Sequence, residues 1–113
     1  MENSILTSTK KILGIPDEYR AFDQDVLTHI NTALGVLNQL GVGPGESFFV
    51  EDENAVWTDF MVAGSYQNMV RTYVWLKVRM LFDPPATSFL QQNMTEQIRE
   101  IEWRLQAREE TQP

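Results

Sequence analysis

Apolar residues recur every three or four positions in the stretch 23–40, which is the spacing of a helix with one buried face. The stripe consists of Val26, Leu27, Ile30, Ala33, Leu34, Leu37 and Leu40. Asp23 is placed to cap the start of this helix, and Gly41 is placed to end it. The pattern therefore predicts an amphipathic helix over residues 23–40.

A shorter helix and a more apolar one are predicted on either side of it. Residues 3–14 form the first, which Ser4 caps and which Gly14 and Pro16 end. Residues 66–82 form the other and carry apolar side chains on two opposite faces, so both faces are expected to be buried. We expect this to be the central helix of the fold, or one that is shared between the core and a partner.

The last predicted helix covers residues 86–110 and has a narrower stripe. Its apolar residues are Leu90, Met94, Ile98, Ile101 and Leu105. Their spacing approaches that of a coiled-coil seam over a short length. Trp103 lies roughly opposite this stripe. Its indole is either half-covered by neighbouring aliphatic stems or buried against another chain.

Residues 41–65 are predicted to form the loop between the second helix and the central one. A glycine-rich turn at 41–45 leads to Ser47–Val50, which fits either a short strand or an extended segment. An acidic turn at 51–54 then precedes a short predicted helix at 55–61. We therefore expect one all-α domain: a small bundle of four to five helices with a long C-terminal helix.

Composition narrows the class of protein further. The 113 residues, 42% hydrophobic and 22% charged, suffice for one small core, and the lack of cysteine excludes disulfides and thiolate metal sites. No apolar run approaches the ~20 residues of a membrane span, and no signal peptide follows Met1, so we expect the chain to stay in the cytoplasm, where it is made. Residues 21–70 hold seven acids and no Lys or Arg, which accounts for the whole net charge of −7. Binding of nucleic acid through phosphate neutralisation is therefore not expected.

The polar face of the second predicted helix is unusual because it carries no charge. It consists of Thr28, Asn31, Thr32, Gly35, Asn38 and Gln39. A solvated helix normally has Lys and Glu on this face. The face is either the mild polar surface of an ordinary helix or a contact with a neighbouring subunit, where charges would be costly to desolvate.

Residue types that could support catalysis or bind a metal are few. His29, the only histidine, lies at the edge of an apolar stripe, where a structural role is expected. Glu51–Asn54 could hold a divalent cation, but it lacks the spacing and glycine of a calcium loop, which favours a solvated turn. The glycine turn at 41–45 follows a helix and has no lysine, unlike a phosphate loop. No enzymatic activity, metal or cofactor is expected.

Several stretches, in their order along the chain, resemble one known family. They are Ser4–Ile15, Phe22–Ala33 with Gln39–Pro44, Tyr73–Pro85 and Glu100–Leu105. These stretches are similar to the head–tail adaptor, or head-completion, proteins of long-tailed bacteriophages, in the branch common in phages of Gram-positive bacteria. The motifs are structural rather than catalytic, and their order is a stronger signal than any one of them. The resemblance covers most of the chain, with little to match between Glu46 and Ala63.

The resemblance implies a structural protein of the virion, located where the head joins the tail. Such adaptors are small helical proteins that assemble as a ring, usually of about twelve copies, beneath the portal after DNA packaging. The ring extends the DNA channel and carries the next connector, stopper or tail protein. DNA would pass through without specific binding, and no membrane would be involved.

Two sets of residues become hypotheses for such a ring. A subunit or portal interface is assigned to Asn31, Thr32, Asn38, Gln39, Trp75 and Trp103. A channel-facing acidic set, which would repel DNA phosphates, is assigned to Glu46, Glu51, Asp52 and Glu53. For these acids a solvated surface loop is the alternative. A function from another class also stays open: a small acidic helical module that inhibits its partner by imitating DNA.

Overall fold

The computed structural model describes residues 3–44 and 48–111. Five helices follow one another: α1 (Ile5–Leu13), α2 (Asp23–Gln39), α3 (Trp57–Phe60), α4 (Ser65–Phe82) and α5 (Ser88–Thr111). In this part of the chain they are accompanied by one isolated bridge, between Ser4 and Val56, and by no strand. The prediction of an all-α fold with a long last helix is confirmed.

α4 lies at the centre and packs against α1, α2 and α5. Val70, Tyr73, Val74 and Val78 are all buried along its length. Their spacing of i, i+3, i+4 and i+8 places them on one side of the helix, whereas Trp75 and Leu76, outside this stripe, are only partly buried. α4 begins one residue before the predicted stretch 66–82 because Gly64, outside the helical conformation, precedes it.

A buried lysine ties α1 to the start of α2. The Lys10 side chain is fully buried, and its Nζ lies 2.8 Å from Asp23 Oδ1. The ammonium also donates to the backbone oxygens of Asp17 and Tyr19, at 3.0 and 2.8 Å. The prediction that Asp23 caps α2 is wrong: the helix begins at Asp23, Phe22 takes the capping position, and the carboxylate pairs with Lys10. Three oxygen partners compensate the desolvation of the cation.

The segment before α1 pairs with the segment before α3. The backbone N–H of Ile5 donates to Ala55 O at 3.0 Å. Trp57 is fully buried in this region, and its Nε1 donates to Ser8 Oγ at 2.9 Å. α3 is therefore shorter than the predicted helix at 55–61, because Ala55 is held in the pairing and cannot begin a helical turn.

The turn after α2 returns the chain closely over α3. Gly43 has φ +95°, and a Cβ at this position would overlap the ring of Phe60. That ring packs edge-to-face on Phe48, with centroids 5.2 Å apart. Glycine is therefore required here both by the backbone conformation and by the close approach of an aromatic ring.

α5 runs antiparallel to α4. Tyr73 donates its hydroxyl to Glu102 Oε2 at 2.7 Å, and the Arg108 guanidinium lies 3.8 Å from the centroid of the Tyr66 ring. These contacts pair Tyr73 with Glu102, and extending the same pairing along both antiparallel helices places the end of α4 level with the second turn of α5. The first turn of α5 therefore projects beyond α4.

The projection explains two differences from the pattern predicted for this helix. Leu90, the first residue of the predicted stripe, is 50% exposed, whereas Ile98 and Leu105 are buried against the rest of the fold. The helix also begins at Ser88 rather than at residue 86, because Thr87 Oγ1 accepts the N–H of Leu90 at 3.2 Å and caps it.

Candidate functional site

An asparagine on α2 fixes the segment that follows the glycine turn. Asn31 Oδ1 accepts the N–H of Val50 at 2.9 Å, and its Nδ2 donates to Val50 O at 3.0 Å. A side-chain amide offers one acceptor and two donors, so it can replace a strand partner for one residue. Residues 48–50 thus run beside α2 without forming a strand, which leaves the extended alternative for the described part of Ser47–Val50.

This anchoring turns one aromatic side chain outward. Val50 is 1% exposed and faces the core, whereas Phe49 is 63% exposed. Successive side chains of an extended segment point to opposite sides, so burying Val50 exposes its neighbour. Phe49 was missed by the sequence reasoning, although the in-and-out alternation of an extended segment is the signal that could have found it.

Two shallow depressions lie along the outer face of α2 and share Asn31 and Phe49 as a common wall. Their volumes are about 530 and 350 Å³. We call the surface that lines them the α2 groove; it comprises Gln24, Leu27, Thr28, Asn31, Thr32, Leu34, Gly35, Asn38, Gln39, Phe48, Phe49, Val50, Glu51 and Phe60. Among these described residues, Glu51, at one end, is the one that carries a charge. The groove unites four of the six residues in the predicted interface.

The two tryptophans of that predicted interface lie elsewhere. Trp75 is partly buried on α4, with its ring 6.3 Å from that of Trp57, and its buried Nε1 has no hydrogen-bond partner among the described residues. It borders a depression of about 620 Å³ that also contacts Ile12 and Arg71. Trp103 is 69% exposed on α5. The six residues thus occupy three separate surfaces.

The first turn of α5 presents a second exposed apolar surface. Phe89 is 73% exposed and Leu90 is 50% exposed. Gln91 holds the chain before the helix by donating from Nε2 to Pro85 O at 2.6 Å. We call Phe89 and Leu90 the α5 knob. It projects from a helix end that is tied down by its cap and by this contact.

The predicted channel-facing acids differ in their surroundings. Glu53 Oε2 lies 2.8 Å from Arg20 Nη2, and the hydrogen bond from Arg20 holds the pKa of Glu53 below its usual value. Asp52 Oδ1 accepts the N–H of Asn54 at 2.9 Å and closes the acidic turn. Glu51 is exposed at the end of the α2 groove, and Glu46 lies outside the described residues. The acids therefore do not form one uniform free cluster.

Groups that could carry chemistry are not gathered in the described part of the chain. His29 is partly buried, with its ring 6.3 Å from that of Phe82. Among residues 3–44 and 48–111, no three His, Asp or Glu side chains come close enough to hold a metal ion. None of the helices described is both long enough and apolar enough to cross a bilayer. The α2 groove and the α5 knob are thus the features that ask for an explanation, and both are suited to binding protein.

Comparison with models of protein families gives a match. The model of a family described as phage connector protein matches residues 5–112, which is nearly the whole chain. No curated protein and no solved structure matches.

Proposed function

The chain belongs to the phage connector protein family, whose members are structural phage proteins, and from this premise we propose that its copies form a ring in the neck of the virion. The ring, of about twelve copies, joins the portal to the next connector, stopper or tail protein and extends the DNA channel. The observation that carries the proposal is the α2 groove, a nearly charge-free surface with an exposed aromatic side chain in its wall.

The physical argument concerns the cost of covering a surface. Charged residues are depleted at the centres of protein interfaces because their desolvation is expensive, while aromatic residues are enriched there. The outer face of α2 has this composition through Thr32, Gly35 and Asn38, with Phe49 beside them. A subunit of a ring needs such a surface because it is covered by a neighbour on each side.

The acidic turn is proposed to lie at the rim of the channel. Glu51 and Asp52 are exposed, and Glu53 adds to the negative potential while it holds Arg20. Such a rim repels phosphates, so that DNA passes without binding. Two further surfaces, around Trp75 and Trp103, are proposed to contact the portal or the next protein of the neck.

The alternative, an inhibitor that imitates DNA, is less well supported. A DNA mimic needs carboxylates that are available to a basic partner. Here Asp23 is paired with Lys10, and Glu53 with Arg20, within the same chain. The mimic would also leave the α2 groove without a role.

The state of assembly tests the proposal. The purified protein, alone and mixed with the portal protein of its phage, is measured by native mass spectrometry and imaged by electron microscopy. A closed ring of about twelve copies, seated on the portal, is the expected result. A monomer or dimer that never binds the portal contradicts the ring and favours the inhibitor.

The acidic rim is tested by charge reversal. Glu51→Lys with Asp52→Lys is compared with a control of equal charge change on other exposed positions, Glu18→Lys with Glu96→Lys. We expect only the first pair to make the ring retain DNA and to slow DNA ejection from virions. Equal ejection and no DNA binding in both would show that the acids do not face the channel.

A further inference from the structure

Two stretches of the chain are long and free of charge. Residues 26–45 and residues 84–95 contain no Asp, Glu, Lys or Arg, and they are the two longest such stretches. The first includes most of α2, and the second leads into α5 and includes its first two turns. Burial alone does not explain them, since Thr32, Gly35, Phe89 and Leu90 are exposed.

The shapes that these stretches present are complementary. The first contributes a concave surface, the α2 groove, whose two depressions meet at Asn31 and Phe49. The second contributes a convex surface, the α5 knob, in which Phe89 and Leu90 project past the end of α4. Neither knob residue lines the groove within the same chain. The knob is therefore available to the groove of another copy.

We propose that the α5 knob of one copy packs into the α2 groove of the next. The contact is heterologous, because two different surfaces meet, and repeating it in one direction gives a ring where the rotation from copy to copy closes. This inference rests on the proposed ring and identifies the subunit contact within it.

The chemistry of the groove favours a second copy over other occupants. DNA or an acidic peptide needs cations, and the groove contains neither Lys nor Arg. A basic peptide would find, among the described residues of the groove, the single carboxylate of Glu51 at one end. An uncharged aromatic knob matches the remaining surface, with Phe89 as the anchor beside Phe49.

Gly35 allows the groove to be blocked without disturbing the monomer. It lies in the groove, and a Cβ built on it meets no atom within 4 Å. Gly35→Arg therefore fits the isolated fold and fills the groove. Phe89→Ser removes the aromatic side chain of the α5 knob that is proposed to pack in the groove. Gln97→Arg, on an exposed position of α5, is the matched control for an added arginine.

Ring formation by these variants is measured in the presence of the portal, with far-UV circular dichroism and thermal unfolding to verify the fold. We expect Gly35→Arg and Phe89→Ser each to weaken assembly by about tenfold or more, and Gln97→Arg to assemble as the wild type does. Rings that tolerate both changes overturn the proposed contact but leave the ring itself standing. Loss of assembly with Gly35→Arg alone assigns the groove to another partner and also overturns it.

The pairing of knob with groove is tested by cross-linking, which the absence of native cysteine makes specific. Thr32→Cys and Ser88→Cys are mixed as separate variants and oxidised under assembly conditions. A disulfide-linked heterodimer is expected, whereas the variant that carries both cysteines gives a ladder of linked copies. Assembled rings with no bond between copies, or a bond only within one chain, overturn the proposal. If the wild type forms no ring at all, the proposed function fails instead.

Discussion

Two tryptophans show the difference between the buried core of this molecule and its exposed surface on α5. Trp57 is fully buried, its Nε1 donates to Ser8, and its ring contacts Trp75 and the Arg71 guanidinium, which lies 5.4 Å from its centroid. Trp103 is 69% exposed on α5. The surroundings of the first are complete within one chain. The second is an exposed aromatic side chain, like Phe49 in the α2 groove and Phe89 in the α5 knob, and is available to a second molecule.

The largest expected effect is the difference in stability loss between substitutions at these two tryptophans. Trp57→Ala removes a fully buried indole and leaves Ser8 without its donor, so we expect a loss of about 3–5 kcal/mol in the free energy of unfolding. Trp103→Ala removes an exposed side chain and should change it by less than about 0.5 kcal/mol. Urea unfolding followed by circular dichroism gives both values.

Trp103→Ala should nevertheless weaken binding to the portal or to a neighbouring subunit, because an exposed aromatic side chain is a common interface anchor. Pull-down with the portal and head–tail joining in extracts provide the second measurement. A Trp103→Ala protein that joins heads to tails normally would show that this exposed indole is only surface. Similar losses of stability for both variants would remove the distinction altogether.

Gly43→Ala tests the packing of the core at the position where the backbone of the turn approaches the Phe60 ring. The φ of +95° and the overlap of a new Cβ with the Phe60 ring each disfavour alanine, for a combined cost of about 2–4 kcal/mol. Thermal unfolding measures this cost. Gly14→Ala is the control, because Gly14 has φ +80° but no atom within 4 Å of its Cβ. Equal losses for the two glycines would mean that the Phe60 ring gives way freely.

The hydrogen bond from Tyr73 on α4 to Glu102 on α5 joins the core to the helix that carries Trp103. Burial, with the bond to Glu102, raises the pKa of Tyr73 well above its usual value of 10.0. The hydroxyl therefore stays protonated in the folded chain at a pH where the unfolded chain ionises. Its contribution to stability is complete below pH 10, the unfolded pKa, and falls as the pH rises above it.

Tyr73→Phe should cost about 1–2 kcal/mol at neutral pH because the bond to the carboxylate is lost. It should also flatten the fall of stability above pH 10. Tyr19→Phe is the control, since Tyr19 is 48% exposed whereas Tyr73 is fully buried. Stability curves at pH 8 to 11 give the measurement, and parallel curves for the wild type and Tyr73→Phe would show that the hydroxyl is not held as described.

The periodicity of apolar residues was sufficient to predict the order of the four longer helices, because that spacing records which faces are buried. It could not predict that Lys10 is buried. The compensating oxygens of Asp17 and Tyr19 are backbone atoms in a loop, and only the folded chain brings them together with Asp23. The same limit explains the error at Asp23, whose carboxylate pairs with a distant residue instead of capping its own helix.

The candidate surfaces were predictable in composition but not in shape. The lack of charge on α2 is visible in Thr28, Thr32 and Asn38, whereas the depth of the groove depends on where Asn31 anchors Val50 and turns Phe49 outward. Leu90 was predicted to be covered because its spacing matches the stripe. It is exposed because the register of α5 against α4, set by the Tyr73–Glu102 hydrogen bond, leaves the first turn of α5 beyond the end of α4. Periodicity contains no information on the register between two helices.

The smallest expected effect is a gain in the free energy of unfolding, at a position on the exposed face of α2. A glycine within a helix costs about 1 kcal/mol relative to alanine, and Gly35 lies within α2 with no atom within 4 Å of its Cβ. Gly35→Ala should therefore raise the free energy of unfolding of the monomer by about 0.5–1 kcal/mol, measured by urea unfolding at a concentration where no ring forms.

A methyl group in the groove also stands where the knob of a neighbour would pack, so the same variant should assemble more weakly than the wild type. Greater monomer stability with weaker assembly would mean that this position favours the neighbour at the expense of the helix. Greater stability with unchanged assembly would instead place Gly35 outside the contact, and an unstabilised monomer would show that α2 is already strained at this point.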